Sequence, residues 1–218
     1  EVCVDSLESA LAAEKGGANR LELCSGLVIG GLTPSPSLFL AIKNQGKIKI
    51  HVLIRPRFGD FCYSDGEFAN ILEDVKLFQR LGADGVVIGC LLPDGELDVK
   101  RLQILKEASG SMSVTLHRAF DMCKNPIKAI NQCKEIGINT ILTSGQRENC
   151  LEGAKNLSLY VKEASSQVDI LAGGGISASV IQKIQPITGL TSFHMSGKIT
   201  EESKMTYRNP EVFMGLPG

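Results

Sequence analysis

The chain has 218 residues, 43% hydrophobic and 22% charged, with 23 Lys+Arg against 24 Asp+Glu and a formal net charge of −1. That balance excludes bulk positive charge as a means of holding nucleic acid or an anionic membrane surface, and the supply of apolar residues excludes disorder. No apolar run reaches the ~20 residues of a membrane span, and no leader reads as a secretory signal.

Short, nearly continuous apolar runs recur along the chain. In order they are Val2–Val4, Leu21–Cys24, Ile48–Ile54, Val86–Gly89, Ser113–His117, Thr140–Thr143, Asp169–Ala172 and Ser192–Met195. Strands buried on both faces have this character, and parallel strands are the usual case. Helical stretches separate them. Asp5 with Glu8 and Ser64 with Glu67 have capping-box spacing, and Ser35-Pro36 and Asn125-Pro126 put a capping side chain before a first-turn proline. Glycines at Gly16-Gly17, Gly82, Gly137 and Gly189 are placed to stop helices just before a strand. Eight strands alternating with helices predict a TIM-type (β/α)8 barrel over residues 1–218, a single domain. A doubly wound open sheet is the alternative. The segment Ser203–Gly218 holds Asn209-Pro210 and ends Gly215-Leu216-Pro217-Gly218, an irregular tail. The eighth helix is therefore expected to be missing or truncated.

In such a barrel the carboxyl ends of the strands carry the chemistry. Read there, the chain offers Arg55, Arg57, His117, Arg118 and Arg147 around one mouth, a local positive cavity that suits an anion. Gly173, Gly174 and Gly175, with Ser177 as the next helix cap, would let backbone N–H groups approach a phosphate, and Ser196 and Gly197 supply the other half. Glu22 and His117 are the candidate acid/base pair, with His194 able to take the same role. His51, in mid-strand, reads as a core residue, and Asp60 and Asp121 as partners for arginines. This points to an isomerase, epimerase or lyase acting on a small anionic, possibly phosphorylated, metabolite. The alternative for Glu22 is a buried partner for Arg55 or Arg118.

Seven cysteines are an odd number, scattered without a C-x-x-C pair, so reduced thiols in the cytoplasm are the simplest reading. Cys3 and Cys24 lie near the same end of neighbouring strands. Two soft sulfurs so placed suit Cu(I); two small apolar residues filling the barrel is the alternative.

Glu1-Val-Cys-Val, Asn19-Arg-Leu-Glu-Leu-Cys-Ser, Gly30-Gly-Leu-Thr-Pro-Ser, Ile54-Arg-Pro-Arg, Asp60-Phe-Cys-Tyr-Ser-Asp, Thr115-Leu-His-Arg-Ala-Phe-Asp-Met, Leu142-Thr-Ser-Gly, Gly173-Gly-Gly-Ile and Tyr207-Arg-Asn together resemble the CutC family of copper homeostasis proteins. The resemblance runs in order through nearly the whole chain. It implies a TIM-type barrel, a cytoplasmic location, self-association as dimers or tetramers, and Cu(I) held by two cysteines, which fall on Cys3 and Cys24. Phe58 stands where family members commonly have glycine, and the family's usual C-terminal extension has no counterpart here. Copper explains the two cysteines; the arginines, His117 and the glycine loop ask for an anion, so both readings stand.

Overall fold

The computed structural model describes residues 1–199 and 202–212. Strands and helices alternate without exception: β1 (Val2–Val4), α1 (Leu7–Lys15), β2 (Arg20–Leu23), α2 (Pro36–Gln45), β3 (Lys49–Leu53), α3 (Asp65–Leu81), β4 (Gly85–Ile88), α4 (Val99–Ala108), β5 (Ser113–Leu116), α5 (Pro126–Ile136), β6 (Thr140–Thr143), α6 (Ala154–Ala164), β7 (Asp169–Gly173), α7 (Ala178–Thr188) and β8 (Ser192–His194). Each strand pairs in parallel with the next, in the order β1 to β8.

The ring closes. Val2 bridges Met195 in parallel, Cys3 N–H donates to the Met195 carbonyl at 3.0 Å, and Met195 N–H donates to the Glu1 carbonyl at 3.0 Å. That removes the open-sheet alternative, because a doubly wound sheet leaves its edge strands unpaired.

Strand alternation sorts the core into two clusters. Val4, Leu21, Leu23, Ile50, Val52, Val86, Ile88, Val114, Leu116, Ile141 and Ile170 pack with helix residues such as Phe39, Phe78 and Leu157 in the outer layer. Cys3, Cys24, Leu53 and Val87 form a separate small cluster inside the barrel. Beside Leu142 and Leu171 the lining also carries polar side chains: Glu22, His51, Thr115, His117 and Thr140 are all buried. A barrel filled only by branched apolar residues is a packed core. This one keeps ionisable groups out of water, which needs a reason.

Most helix signals form as the residues dictate. Ser64 and Glu67 make the reciprocal capping box, Ser35 and Asn125 cap helices that start at proline, and Gly82, Gly137 and Gly189 stop theirs in the left-handed conformation. Two expectations are corrected. The cap of α1 is Ser6, whose Oγ accepts the Ser9 N–H at 3.1 Å, because the helix begins one residue later than an Asp5–Glu8 box requires. Gly16 stays right-handed at φ −73°, and Gly17 makes the turn at φ 86°. Strand boundaries also move by a residue or two. For example, β2 runs Arg20–Leu23, one residue earlier at each end than expected, which keeps Glu22 within the strand and leaves Cys24 just beyond it.

Seven helices lie among the described residues and none follows β8. A groove of about 1530 Å³ runs along the outer wall between α1 and α7, lined by Ala12, Ala13, Ile181, Phe193 and Val2, where an eighth helix would pack. Residues 202–212 are irregular and exposed, and the expected final turn Gly215–Gly218 lies outside the described residues.

Candidate metal centre

Register builds the site. Cys3 pairs with Glu22, and Glu22 with His51, so all three side chains enter the barrel at one level. Cys24 lies two residues beyond Glu22 on the same face. The Sγ atoms of Cys3 and Cys24 and a Glu22 carboxylate oxygen all lie within 4.8 Å of one another. Ring closure adds His194: the Val2–Met195 bridge sets it beside Glu1, and its Nδ1 lies 2.7 Å from Glu1 Oε1. Its Nε2 lies 3.8 Å from Glu22 Oε2. Arg20 pairs with the other Glu1 oxygen through Nε. Leu27, in the turn Leu27–Ile29 after β2, packs on the thiol cluster, and Gly31 sits against Cys24 and Leu53. A Cβ at Gly31 would fall 2.8 Å from the Leu53 side chain, so only glycine lets this loop close over the sulfurs.

Burial and proximity set the protonation states. A hydrogen bond with the Cys24 thiol is the strongest influence on Cys3; joined by His194, it overcomes the cost of burial and brings Cys3 down to about 5. The shared proton stays on Cys24, whose thiol is pushed well up by Cys3 and by burial, and whose Sγ lies 3.4 Å from the Val4 carbonyl. Burial raises Glu22 to about 8 against the pull of His194. Burial also opposes charge on His194, but Glu22, Cys3 and Glu1 outweigh it and raise the imidazole to about 10. Burial works against the Glu1 carboxylate too, yet His194 and Arg20 hold it at about 2. The result is a buried basket of alternating charge, with Glu1 and Cys3 on the negative side, His194 and Arg20 on the positive side, and the Cys24 thiol donating to the Val4 carbonyl.

The other expected residues do not join this basket. His117 faces Phe61, with ring centres 4.7 Å apart, and its pKa is pushed down to about 3 by burial and by Arg55. The Glu22 carboxyl lies 3.8 Å from His194 Nε2, and neither Arg55 nor Arg118 comes within 4.0 Å of it. The Arg55 guanidinium donates to the carbonyls of Gly30, Gly31 and Gly59. Arg57 is tied to Asp60 at 3.0 Å and Glu67 at 2.5 Å, which fixes the loop after β3. Arg118 pairs with Asp121 at 2.7 Å and Ser144 at 2.7 Å, and Arg147 is exposed, with one terminal nitrogen donating to the Gln146 carbonyl at 2.9 Å. Gly174 lies against Ser144 and Arg118 in a left-handed turn, while Gly175 lies against Asn149. Gly173 pairs with His194 in the sheet, and Ser196 and Gly197 are exposed beyond it. His51 is buried against Gly85 and reads as the core residue expected.

The CutC family model matches residues 1–199. The chain belongs to the CutC family. A CutC protein of Bacteroides thetaiotaomicron is 45% identical over 216 residues, covering 99% of this chain and 87% of that protein. The human copper homeostasis protein cutC homolog is 42% identical over 215 residues, covering 99% of this chain and 79% of the human one. The solved CutC structure from Streptococcus agalactiae superposes with a TM-score of 0.85 at 30% identity, over 89% of this chain and 96% of that one. An aldolase, QR15, shares the fold alone, with a TM-score of 0.68 at 18% identity over 90% of this chain and 89% of that one. Family names thus speak of copper homeostasis, and the CutC barrel here carries a buried thiol pair. Glu1 and Arg20 escaped the sequence reading, although each shares a strand face with a chosen residue, Glu1 with Cys3 and Arg20 with Glu22. Among the described residues no helix is long and apolar enough to cross a membrane.

Proposed function

We propose that the protein binds Cu(I) as cargo through the thiolates of Cys3 and Cys24. The observation that carries this reading is the convergence of two buried, free thiols and a carboxylate oxygen within 4.8 Å. Soft sulfur donors match Cu(I), and a shell of buried side chains keeps out competing water ligands. Charge supports the reading as well. The neighbours of Cys3 favour its thiolate, so binding Cu(I) between two thiolates would release chiefly the Cys24 proton. One positive charge enters and one departs, so the buried basket keeps its net charge. His194 stays protonated beside the pair and offsets the second thiolate. The reading places the protein in the cytoplasm, where thiols stay reduced, as a homo-oligomer, dimer or tetramer.

Anaerobic titration with Cu(I) against a chromogenic chelator tests it. Wild type is expected to take up one ion per chain, and the Cys3→Ser/Cys24→Ser double variant none. Equal stoichiometry in the two proteins overturns the reading. The acid/base alternative gains less support, since Glu22 faces His194 and Cys3 while His117 faces Phe61 and Arg55, so the pair does not share a proton path.

A further inference from the structure

The buried side-chain atoms without a partner among the described residues include Arg55 Nε and His117 Nε2, together with Thr115 Oγ1 on the same strand face as His117 and the Tyr63 hydroxyl near Arg55. Everything else on Arg55 and His117 is engaged. Both terminal nitrogens of Arg55 donate to the glycine carbonyls of the loops above it. His117 Nδ1 accepts the Ala119 N–H at 3.1 Å, which puts the ring proton on Nε2 and makes that atom a donor.

The two residues belong to one place in the barrel. Leu53 pairs with Val87, and Val87 with Thr115. Two residues further on, the same interior face carries Arg55, Gly89 and His117 in a row. Gly89 has no side chain to separate them, and a Cβ there would fall 2.4 Å from His117 Cε1. Phe61 joins the pair from above, 5.1 Å from the Arg55 guanidinium carbon and 4.7 Å from the His117 ring centre.

Charge says what is missing. Arg55 is 8% exposed and carries a full positive charge, yet among the described residues no carboxylate lies within 4.0 Å of it. Glu22 is given over to His194, and Asp60 and Glu67 to Arg57. A buried cation without a counter-ion is costly, and so is a buried donor without an acceptor. One ligand cures both: a negatively charged oxygen group meeting Arg55 Nε–H and His117 Nε2–H together.

We infer that Arg55 and His117 form a binding site for a small oxyanion, a carboxylate or phosphate group, separate from the thiol pair. Arg57, Arg118 and the Gly173–Gly175 loop are not part of it. The site does not depend on copper binding, and copper binding does not depend on it.

The test is calorimetric titration of the full chain with inorganic phosphate, sulfate and acetate at constant ionic strength, with chloride as control. At least one oxyanion is expected to bind at one per chain, and the probe preferred tells phosphate from carboxylate chemistry. His117→Phe is expected to weaken that binding at least tenfold, and His117→Gln, which keeps an N–H donor and an acceptor for Ala119, to restore most of it. Copper stoichiometry is expected to be unchanged in both. A variant-free check is the His117 ring nitrogen resonance of wild type, which should move on adding the preferred anion. If none of the three binds wild type, the two donors merely share water and the inference is overturned. Equal binding by His117→Phe, or a ring resonance that stays still, overturns it equally.

Discussion

His194 Nε2 lies 3.8 Å from Glu22 Oε2 across the line where the last strand meets the first two, and its Nδ1 lies 2.7 Å from Glu1 Oε1, with Cys3 close enough to raise the imidazole. The imidazole is thus the hub of a cluster drawn from three strands. Its charge supports the Cys3 thiolate, while the neighbouring Cys24 thiol donates to the Val4 carbonyl at 3.4 Å.

The protonation of Cys3 is therefore open to direct measurement. Ultraviolet thiolate absorbance is expected to show one ionised thiol per chain at neutral pH, titrating near 5, and absent in Cys3→Ser. Removing the neighbouring cation in His194→Gln should raise that midpoint by about 1–3 units. Burial pushes Cys90, Cys123, Cys133 and Cys150 up to about 12, so they stay silent. A midpoint above neutrality in wild type would contradict the proposed hub.

Stability should fall on the acid side in a defined window. Burial holds His51 down to about 4 and His117 down to about 3, against an ordinary value of 6.5. Below 6.5 the unfolded chain takes up protons that these two native histidines refuse, so their contribution to stability is whole above 6.5 and is lost as pH drops from there toward 3 or 4, whereas the raised His194 contributes below 6.5 and loses its share as pH rises toward 10. Each histidine contributes a slope of up to about 1.4 kcal/mol per pH unit. Urea unfolding between pH 5 and pH 7 should show the loss, and His117→Gln should flatten it. An unchanged slope in that variant would mean the ring is not held neutral.

Gly85 makes room for His51. An added Cβ would fall 2.6 Å from two ring atoms of that histidine. Gly85→Ala is expected to cost about 1–3 kcal/mol by overpacking. In a His51→Ala background the same change should cost markedly less, a coupling read from a double-mutant cycle in urea. Additive effects would show that the ring has space to retreat.

Asp121 is a second anchor on the far side of the barrel. Its carboxylate accepts from Thr143 Oγ1 at 2.5 Å, Ser144 N–H at 3.1 Å, Gln146 N–H at 3.1 Å and Arg118 Nε at 2.7 Å. Asp121→Ala strands these donors and should cost about 3–5 kcal/mol, visible as a large drop in Tm. A loss below that of an ordinary surface substitution would show that water replaces the carboxylate freely.

The architecture was legible because its punctuation is local. Ser64, Asn125, Gly82 and Gly137 act through bonds within a turn, so a sequence carries them openly. Ser6 was missed in favour of Asp5 because two adjacent capping residues compete and only the helix start decides. The nearness of Cys3 and Cys24 was legible too, since consecutive strands pair. The rest of the basket was not. Glu22 read as a rim residue because its level is set by pairing with Cys3 and His51 on neighbouring strands, and Glu1, Arg20 and His194 meet only across the closing seam. Nor does residue type tell a free arginine from a spent one: Arg57, Arg118 and Arg55 look alike in sequence, and only their neighbours separate them.

The seam between Val2 and Met195 has a temporal meaning. A nascent chain carries Cys3 and Cys24 out of the ribosome early, but the imidazole that steadies them emerges some 170 residues after Cys24. Until then the sulfurs stand on an unfinished fence, without their cation, so the site cannot be complete before the eighth strand meets the first.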